Sequence, residues 1–388
     1  MPVVPQKLRE FIREESLVVF SPGRINLIGE FTDYNKGFVL PAAIDKGVYF
    51  VLTLRKDQTI YLFSADFGEA YETSVEELLP SKKSSWPNYI LGVVEQFKLA
   101  GITIKGFDGA VSGNIPIGAG MSSSAAVECA VAMALNEVAQ SGFEKLQLVQ
   151  MAQKAENNYV GVQCGIMDQF ASMFGQPSQA IKIDCRSLGF EYIPLSMDGL
   201  RIVLLDSNVK HSHGSSEYNV RRKQCEDGVA MIQQHHPEVQ SLRDASLKMA
   251  DDYILPFDQT IYKRCKFILE ENERVMTAAE NLKSGDLKSF GEKMFSSHDG
   301  LQNGFEASCA EMDFLVNCVK NNDAVVGSRM MGGGFGGCTI NLVKEGNVDE
   351  IIQMASVAYR KSLNLELTSY VAIIEAGTTI LKNANSPF

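Results

Sequence analysis

No two of the eight cysteines form a Cys-x-x-Cys pair, and no His stands at finger spacing from any of them. That excludes the common zinc-finger patterns and leaves reduced, mostly buried thiols as the expected state. Long apolar runs are missing too, since no uncharged stretch approaches the roughly 18 residues a membrane span requires. Positive charge is scarce: 36 Lys and Arg stand against 47 Asp and Glu, for a net charge of −11. This is the wrong sign for a surface that holds nucleic acid or anionic lipid, so neither partner is expected. The opening MPVVPQKLREFIREES lacks the apolar stretch of a signal peptide, and its acidic residues do not suit a transit peptide. Its Leu8, Phe11 and Ile12 suit a short amphipathic helix, and a cytoplasmic location is expected. What remains is ordinary globular material, 388 residues with 45% hydrophobic and 21% charged side chains. At roughly 150 residues per domain, this length fits two to three domains, or two large ones.

Runs of β-branched and aromatic residues at 17–20 (LVVF), 47–54 (GVYFVLTL), 60–64 (IYLFS) and 107–111 (FDGAV) predict a sheet in the first third. Apolar residues three and four apart predict helices over 88–100, 122–137 and 146–159, packed on that sheet. Strands are expected again at 180–184 (AIKID) and 201–206 (RIVLLD), after which the chain turns mainly helical from 216 to about 320. The change of composition near 195–210 marks the expected boundary between two units, 1–200 and 201–388. A strand at 338–343, a helix over 348–363 and a strand at 369–374 suit a second α+β layer.

Three segments carry chemistry. SPGRINLIGEFTDYNKGFVLP (21–41) mixes one Arg with the short polar acceptors Asn26, Glu30, Asp33 and Asn35 among apolar residues. Carboxylates held this way suit recognition of hydroxyl groups, because each offers several acceptor sites; a turn with a solvated face is the alternative. NIPIGAGMSSSAAVECA (114–130) is a Gly-Ala-Gly turn followed by three serines that open an Ala-rich helix. Serines cap helix amides, and the same amides with the helix dipole form an anion site, while Gly118 and Gly120 let the backbone approach a phosphate. The Gly-Lys-Ser/Thr of a Walker loop is absent, and a capped structural helix is the alternative. In GSRMMGGGFGGCTINLV (327–343), Gly332, Gly334 and Gly337 match G-x-G-x-x-G. A strand follows where a dinucleotide fingerprint must open a helix, so that reading is rejected. Five glycines in six residues instead indicate a backbone that comes close to another element or a ligand.

Taken in this order, the segments resemble the GHMP kinase superfamily and, within it, the galactokinase family. GRINLIGEFTDY (23–34) is similar to that family's sugar signature, PIGAGMSSSAA (116–126) to the superfamily's phosphate loop, and GSRMMGGGFGGC (327–338) to its C-terminal glycine loop. AENNYVGVQCGIMDQFAS (155–172) and SSEYNVRRKQCE (215–226) also look like family segments, so the resemblance spans roughly 17–375. It implies an α+β fold in two lobes: an N-terminal mixed-sheet lobe with signature and phosphate loop, and a C-terminal α+β lobe with the glycine loop. The active site would lie in the cleft between them. It further implies ATP-dependent phosphorylation of the anomeric hydroxyl of galactose to galactose 1-phosphate, with Mg²⁺. The partners are then the sugar and ATP alone, and the chain a monomer or weak oligomer.

By this resemblance Asp168 is the base that takes the anomeric proton, and Arg24 faces it and stabilises the charge that develops. Ser124 and Glu156 would coordinate Mg²⁺, with phosphate oxygens and waters completing the shell. Gly118, Ala119, Gly120, Met121, Ser122, Ser123 and Ser124 would wrap the triphosphate, so that amides and Mg²⁺ supply the positive field the acidic chain lacks overall. SWPNY (85–89) is similar to the family's adenine segment, which points to Trp86 with Tyr89 and Ser64 behind it; a lone Trp also suits a core position. Glu30, Phe31, Asp33 and Tyr218 are the expected sugar contacts. At two places the chain departs from the pattern. Phe31 stands where the family signature Gly-Glu-His-x-Asp-Tyr has His, and SSHDGLQNGFEASC (296–309) lacks a more acidic, Arg-bearing stretch. Both bear on sugar identity, leaving an anomeric kinase for N-acetylgalactosamine, L-arabinose or another galactose-like sugar as one alternative. A non-catalytic sugar and ATP sensor is another, against which the intact small-residue run Ser122, Ser123, Ser124, Ala125 stands.

Overall fold

In the computed structural model, which describes residues 3–116, 118–210 and 214–382, the apolar run at 17–20 opens strand β1 (Leu17–Asn26). Every residue of β1 is buried. After the two-residue β2 (Phe38–Val39) the chain returns as β3 (Pro41–Leu54), antiparallel to β1, with the register slipping between Pro22 and Arg24. Such an irregularity re-aims the side chains beside it, and Arg24 is the residue re-aimed here. β4 (Thr59–Ser64) and β5 (Glu69–Ser74) form a hairpin, followed by α1 (Trp86–Leu99) and β6 (Phe107–Gly113). Next comes α2 (Ser123–Ala139), whose buried alanines 125, 126, 130, 132 and 134 give it a thin profile that lets it lie close on β1 and β3. α3 (Lys145–Lys154) packs on α2, and α4 (Met167–Phe174) packs on β1 and β3 beside it.

β7 (Gln179–Asp184) and β8 (Phe190–Pro194) lead to β9 (Leu200–Lys210), which starts a second sheet. The helical stretch expected after it consists of α5 (Gly214–Gln233), α6 (Leu247–Tyr253), α7 (Gln259–Ser284), α8 (Leu287–Asp299) and α9 (Ala310–Val319). α7, the longest, has both ends defined chemically. Asp258 accepts from the amides of Thr260 and Ile261 at its start, and Gly285, at φ 74°, takes the left-handed cap at its end. The remaining elements are β10 (Val325–Met330), β11 (Gly336–Lys344), α10 (Val348–Leu363), β12 (Thr368–Ala372) and β13 (Thr379–Lys382).

Among the described residues three sheets result, ordered β13-β1-β3-β6-β4-β5, β10-β11-β9-β12 and β2-β7-β8. Only the β4–β6 pair is parallel among the described strands. This is the two-lobed α+β architecture the sequence implies, with one addition: β13 crosses back from the end of the chain to pair with β1. The largest apolar core is likewise shared, running from the first sheet through α2 to Ile202, Leu204, Ile340 and Leu342 of the second. A smaller aromatic core joins Phe31 to Phe267 and Phe305, and a third lies between the second sheet and α9 and α10. The helix expected over 146–159 does not run through as one α-helix. α3 ends at Lys154, and Ala155–Val160 continue as a π-helical turn. All eight cysteines are free thiols, and among the described residues no helix is long and apolar enough to cross a membrane.

Candidate functional site

The slipped register of β1 and the first turn of α4 bring Arg24 and Asp168 face to face. Arg24 Nε donates to Asp168 Oδ1 at 2.7 Å and Nη2 to Oδ2 at 2.9 Å, a forked ion pair. The third prong, Nη1, donates to the carbonyl oxygen of Gly120 at 2.6 Å, tying the pair to the phosphate loop. Arg24 is nearly enclosed, with its side chain 4% exposed, whereas that of Asp168 is 25% exposed. The pair opens on a cleft of about 360 Å³, which Glu30, Phe31, Asp33, Glu156 and Tyr218 also line, together with residues 331–337 of the glycine loop.

Ser122 also donates to Asp168 Oδ2. This changes the expectation that the serines cap α2. Ser122 is the N-cap residue, but at φ 55° and ψ 56° its hydroxyl is turned to Asp168, and it makes no cap hydrogen bond. The first amides of α2 are therefore left without a capping side chain, the condition under which a helix start receives an anion. Ala119 and Met121 point into the core, so the loop offers backbone rather than side chains, with Gly118 and Gly120 at φ 82° and 73°. Ile117 of this segment lies outside the described residues.

Two carboxylates from the first segment face the cleft, and burial pushes both of them up. Asp33 is raised to about 6, by burial first and then by the charge of Asp168. Burial also pushes Glu30 up, but the Arg329 guanidinium and the Gly332 amide at 3.0 Å pull it back. Phe31, between them in sequence, holds a left-handed φ of 65°, and its buried ring packs 4.6 Å from Phe305 and 5.6 Å from Tyr218. Thus the two places where the sequence departs from the family pattern meet, because Phe305 belongs to the 296–309 stretch. The turn that carries these residues is held from outside: Glu271 accepts from the Gly29 amide at 3.0 Å and Asn272 from the Phe38 amide at 2.9 Å. Arg329, Glu271 and Asn272 were not singled out by the sequence reading, and nothing in their local sequence marks them.

Glu156, in the π-helical turn, is raised to about 7 by burial and by the charge of Asp168, against hydrogen bonds from Ser124, Cys164 and Gln169. Gln169 bridges it to a further carboxylate, donating to Glu156 at 2.7 Å and to Glu128 at 3.0 Å. Glu128 is fully buried, and burial together with the Glu156 charge pushes it well above the usual carboxylate range. On the other side of the phosphate loop, a cavity of about 470 Å³ gathers Ser64, Trp86 and Tyr89 with Ser123 and Ser124. Trp86 is half-buried there, its indole N–H donating to Glu69 at 3.1 Å, and burial pushes Tyr89 up to about 12. The loop stands between the two cavities, contributing Gly118 and Gly120 to one and Ser123 and Ser124 to the other.

Family descriptions match most of this frame. The galactokinase galactose-binding signature covers residues 7–54, the GHMP kinases N terminal domain 88–176, and the GHMP kinases C terminal domain 278–361. A galactokinase of Thermotoga neapolitana is 42% identical over 350 residues, 90% of this chain and 96% of that protein. One from Thermosipho africanus is 40% identical over 364 residues, 94% of this chain and 99% of that protein. The crystal structure of Lactococcus lactis galactokinase complexed with galactose aligns with a TM-score of 0.92 at 36% identity, over 97% of this chain and 98% of that one. A mevalonate kinase structure, at 16% identity and a TM-score of 0.66, shares the fold alone. Likeness at this level over nearly the whole chain, in sequence and in structure, means that the chain belongs to the galactokinase family of the GHMP kinases.

Proposed function

We propose that this chain transfers the γ-phosphoryl group of ATP to the anomeric hydroxyl of galactose, giving galactose 1-phosphate and ADP by direct in-line displacement. The observation that carries the reading is the Arg24–Asp168 fork, fixed to Gly120 of the phosphate loop and opening on the cleft that holds Glu30 and Asp33. As the bond from the anomeric oxygen to the γ-phosphorus forms and the bond to the ADP oxygen breaks, the anomeric proton passes to the Asp168 carboxylate. Phosphoryl transfer passes through a loose transition state, so the proton leaves late, and a carboxylate already paired with Arg24 can still accept it. Arg24 stays beside the charge that develops on the oxygens. Glu30 and Asp33 accept from sugar hydroxyls, and Phe31 and Tyr218 form the wall.

In the same reading, residues 118–124 wrap the triphosphate and Trp86, Tyr89 and Ser64 hold the adenine. Ser124 and Glu156 fit Mg²⁺: they offer a hydroxyl and a carboxylate, and burial with the Asp168 charge disfavours an ionised Glu156 that an adjacent cation would favour. When bound, Mg²⁺ neutralises charge on the phosphates. We place the boundary of the lobes near residue 200, where β9 begins, and the reaction in the cytoplasm.

One observation favours a second reading, the same transfer to a galactose-like sugar such as N-acetylgalactosamine or L-arabinose. Phe31 lines the sugar cleft where the family signature has His, and its ring packs at a tilt on Phe305, 4.6 Å between centroids. ATP consumption measured against galactose, N-acetylgalactosamine, L-arabinose and glucose decides between them. The highest kcat/KM is expected with galactose; a higher value for another sugar transfers the reading to it. Binding of a sugar with no turnover of any would leave a sensor.

A further inference from the structure

Glu30 does more in this structure than line the sugar cleft. Its two carboxylate oxygens are already engaged from the second half of the chain. Arg329 of β10 donates to Oε2, and the amide of Gly332, in the glycine loop, donates to Oε1 at 3.0 Å. Arg329 is itself fully buried and reaches a second group of the first segment, the carbonyl oxygen of Asn26, at 3.0 Å. A buried guanidinium with so few partners is costly unless its geometry is fixed, and here it fixes the orientation of Glu30. Oxygen lone pairs not taken by Arg329 and Gly332 remain for a ligand in the cleft.

The glycine loop, held by that carboxylate at Gly332, abuts the phosphate loop on its other side. A Cβ at Gly332 would come 3.2 Å from the carbonyl oxygen of Gly120, and one at Gly337 would come 3.4 Å from that of Gly118. Gly332, Gly334, Gly336 and Gly337 all hold positive φ, so this is a backbone that can rearrange but is here pinned at both sides. A continuous set of contacts therefore leads from Glu30 in the sugar cleft, through Gly332, to the backbone that faces the nucleotide.

We propose that Arg329 and Glu30 form a latch through which sugar binding and the seating of the glycine loop against the phosphate loop favour one another. Arg329 is a positioning residue: it touches no substrate and acts through Glu30. A sugar that hydrogen-bonds Glu30 in this orientation strengthens the hold on Gly332, and a nucleotide that seats the loop keeps Glu30 presented to the sugar. By reciprocity each ligand must tighten the other by the same factor. The inference rests on the proposed function for the identity of the sugar.

The test is the dissociation constant of galactose, measured by titration calorimetry with and without a non-hydrolysable ATP analogue and Mg²⁺. In the native protein the analogue is expected to tighten galactose about 5-fold or more. The double variant Arg329→Met/Glu30→Gln removes both charges of the buried pair, a change that such pairs tolerate better than loss of one partner. It should bind galactose more weakly with the ratio reduced to about one, whereas a purely structural role would lower Tm and leave the ratio intact. A ratio of one in the native protein, or an unchanged ratio in the double variant, overturns the latch. If the double variant does not fold, hydrogen exchange over 331–338 of the native protein decides: galactose alone should slow it, and unchanged exchange overturns the proposal. Should galactose fail to bind the native protein, the sugar that is turned over in the panel takes its place. Only the choice of sugar then falls.

Discussion

Asp33, a sugar contact in the function we propose, shows at the scale of one residue how such a site opposes stability. Its carboxyl is raised to about 6 by burial and Asp168, while Arg24 and the Tyr34 amide act the other way. Tyr218 and Cys185 also feel its charge, both held protonated by burial. The folded apo chain thus holds this proton more tightly than the unfolded chain does. Stability falls as pH rises from about 4 through about 6, by on the order of 3 kcal/mol. Asp33→Asn should accordingly raise the apo Tm clearly more at pH 8 than at pH 4.5 while weakening sugar binding; thermal melts at the two pH values check this, and an equal gain at both refutes it. Phe31 gives a second prediction. Its left-handed φ suits His better than Phe, and a His there regains a polar contact. Phe31→His should lower KM for galactose roughly 5-fold, about 1 kcal/mol, with kcat little changed. If the preferred sugar instead carries an apolar or acetylated group at that point, steady-state kinetics will show the ratio of kcat/KM values moving toward galactose. Glu30, Asp33 and Arg24 were legible because acceptors and a lone Arg among apolar residues are conspicuous. Their supports were not: Glu271, Asn272 and Arg329 stand 234 to 299 residues further along the chain, where a charged or amide side chain reads as solvent-facing.

At the scale of elements, two helix ends meet at the Mg²⁺ site that we propose. Ser124 stands in the first turn of α2 and Glu156 in the π-helical turn after α3, and the two side chains are hydrogen-bonded. Ser124→Ala and Glu156→Gln should each raise KM for Mg·ATP on the order of 10-fold, with the double variant well short of the sum in free energy because both address one ion. Simple additivity in steady-state kinetics would count against a shared metal. Strands rich in β-branched and aromatic residues, β1, β3, β4 and β6, were readable from pattern alone. β5, EAYETS, was not, since an exposed edge strand needs no apolar alternation. β10, VVGSRM, was not foreseen as a strand, because its last four residues read as part of the glycine loop, although Arg329 is buried. The π-helical turn escaped because the 3.6-residue period carries straight through it.

At the scale of the whole molecule, the lobes are not independent. β13 pairs with β1, joining Ile380 to Val19, and one apolar core passes from the first sheet into the second. Calorimetry should therefore show a single cooperative transition that galactose shifts upward, and two resolved transitions would contradict a shared core. The return of β13 was not legible in the sequence, because a four-residue strand carries too little pattern. The central claim, that the Arg24–Asp168 fork performs phosphoryl transfer to an anomeric hydroxyl, is tested most directly by following galactose and Mg·ATP with phosphorus NMR in the native protein and in Asp168→Asn. The account predicts galactose 1-phosphate from the native protein and a rate at least about 100-fold lower from the variant, which remains folded and binds Mg·ATP. A near-native rate from folded Asp168→Asn, or phosphate on any other hydroxyl, would contradict it.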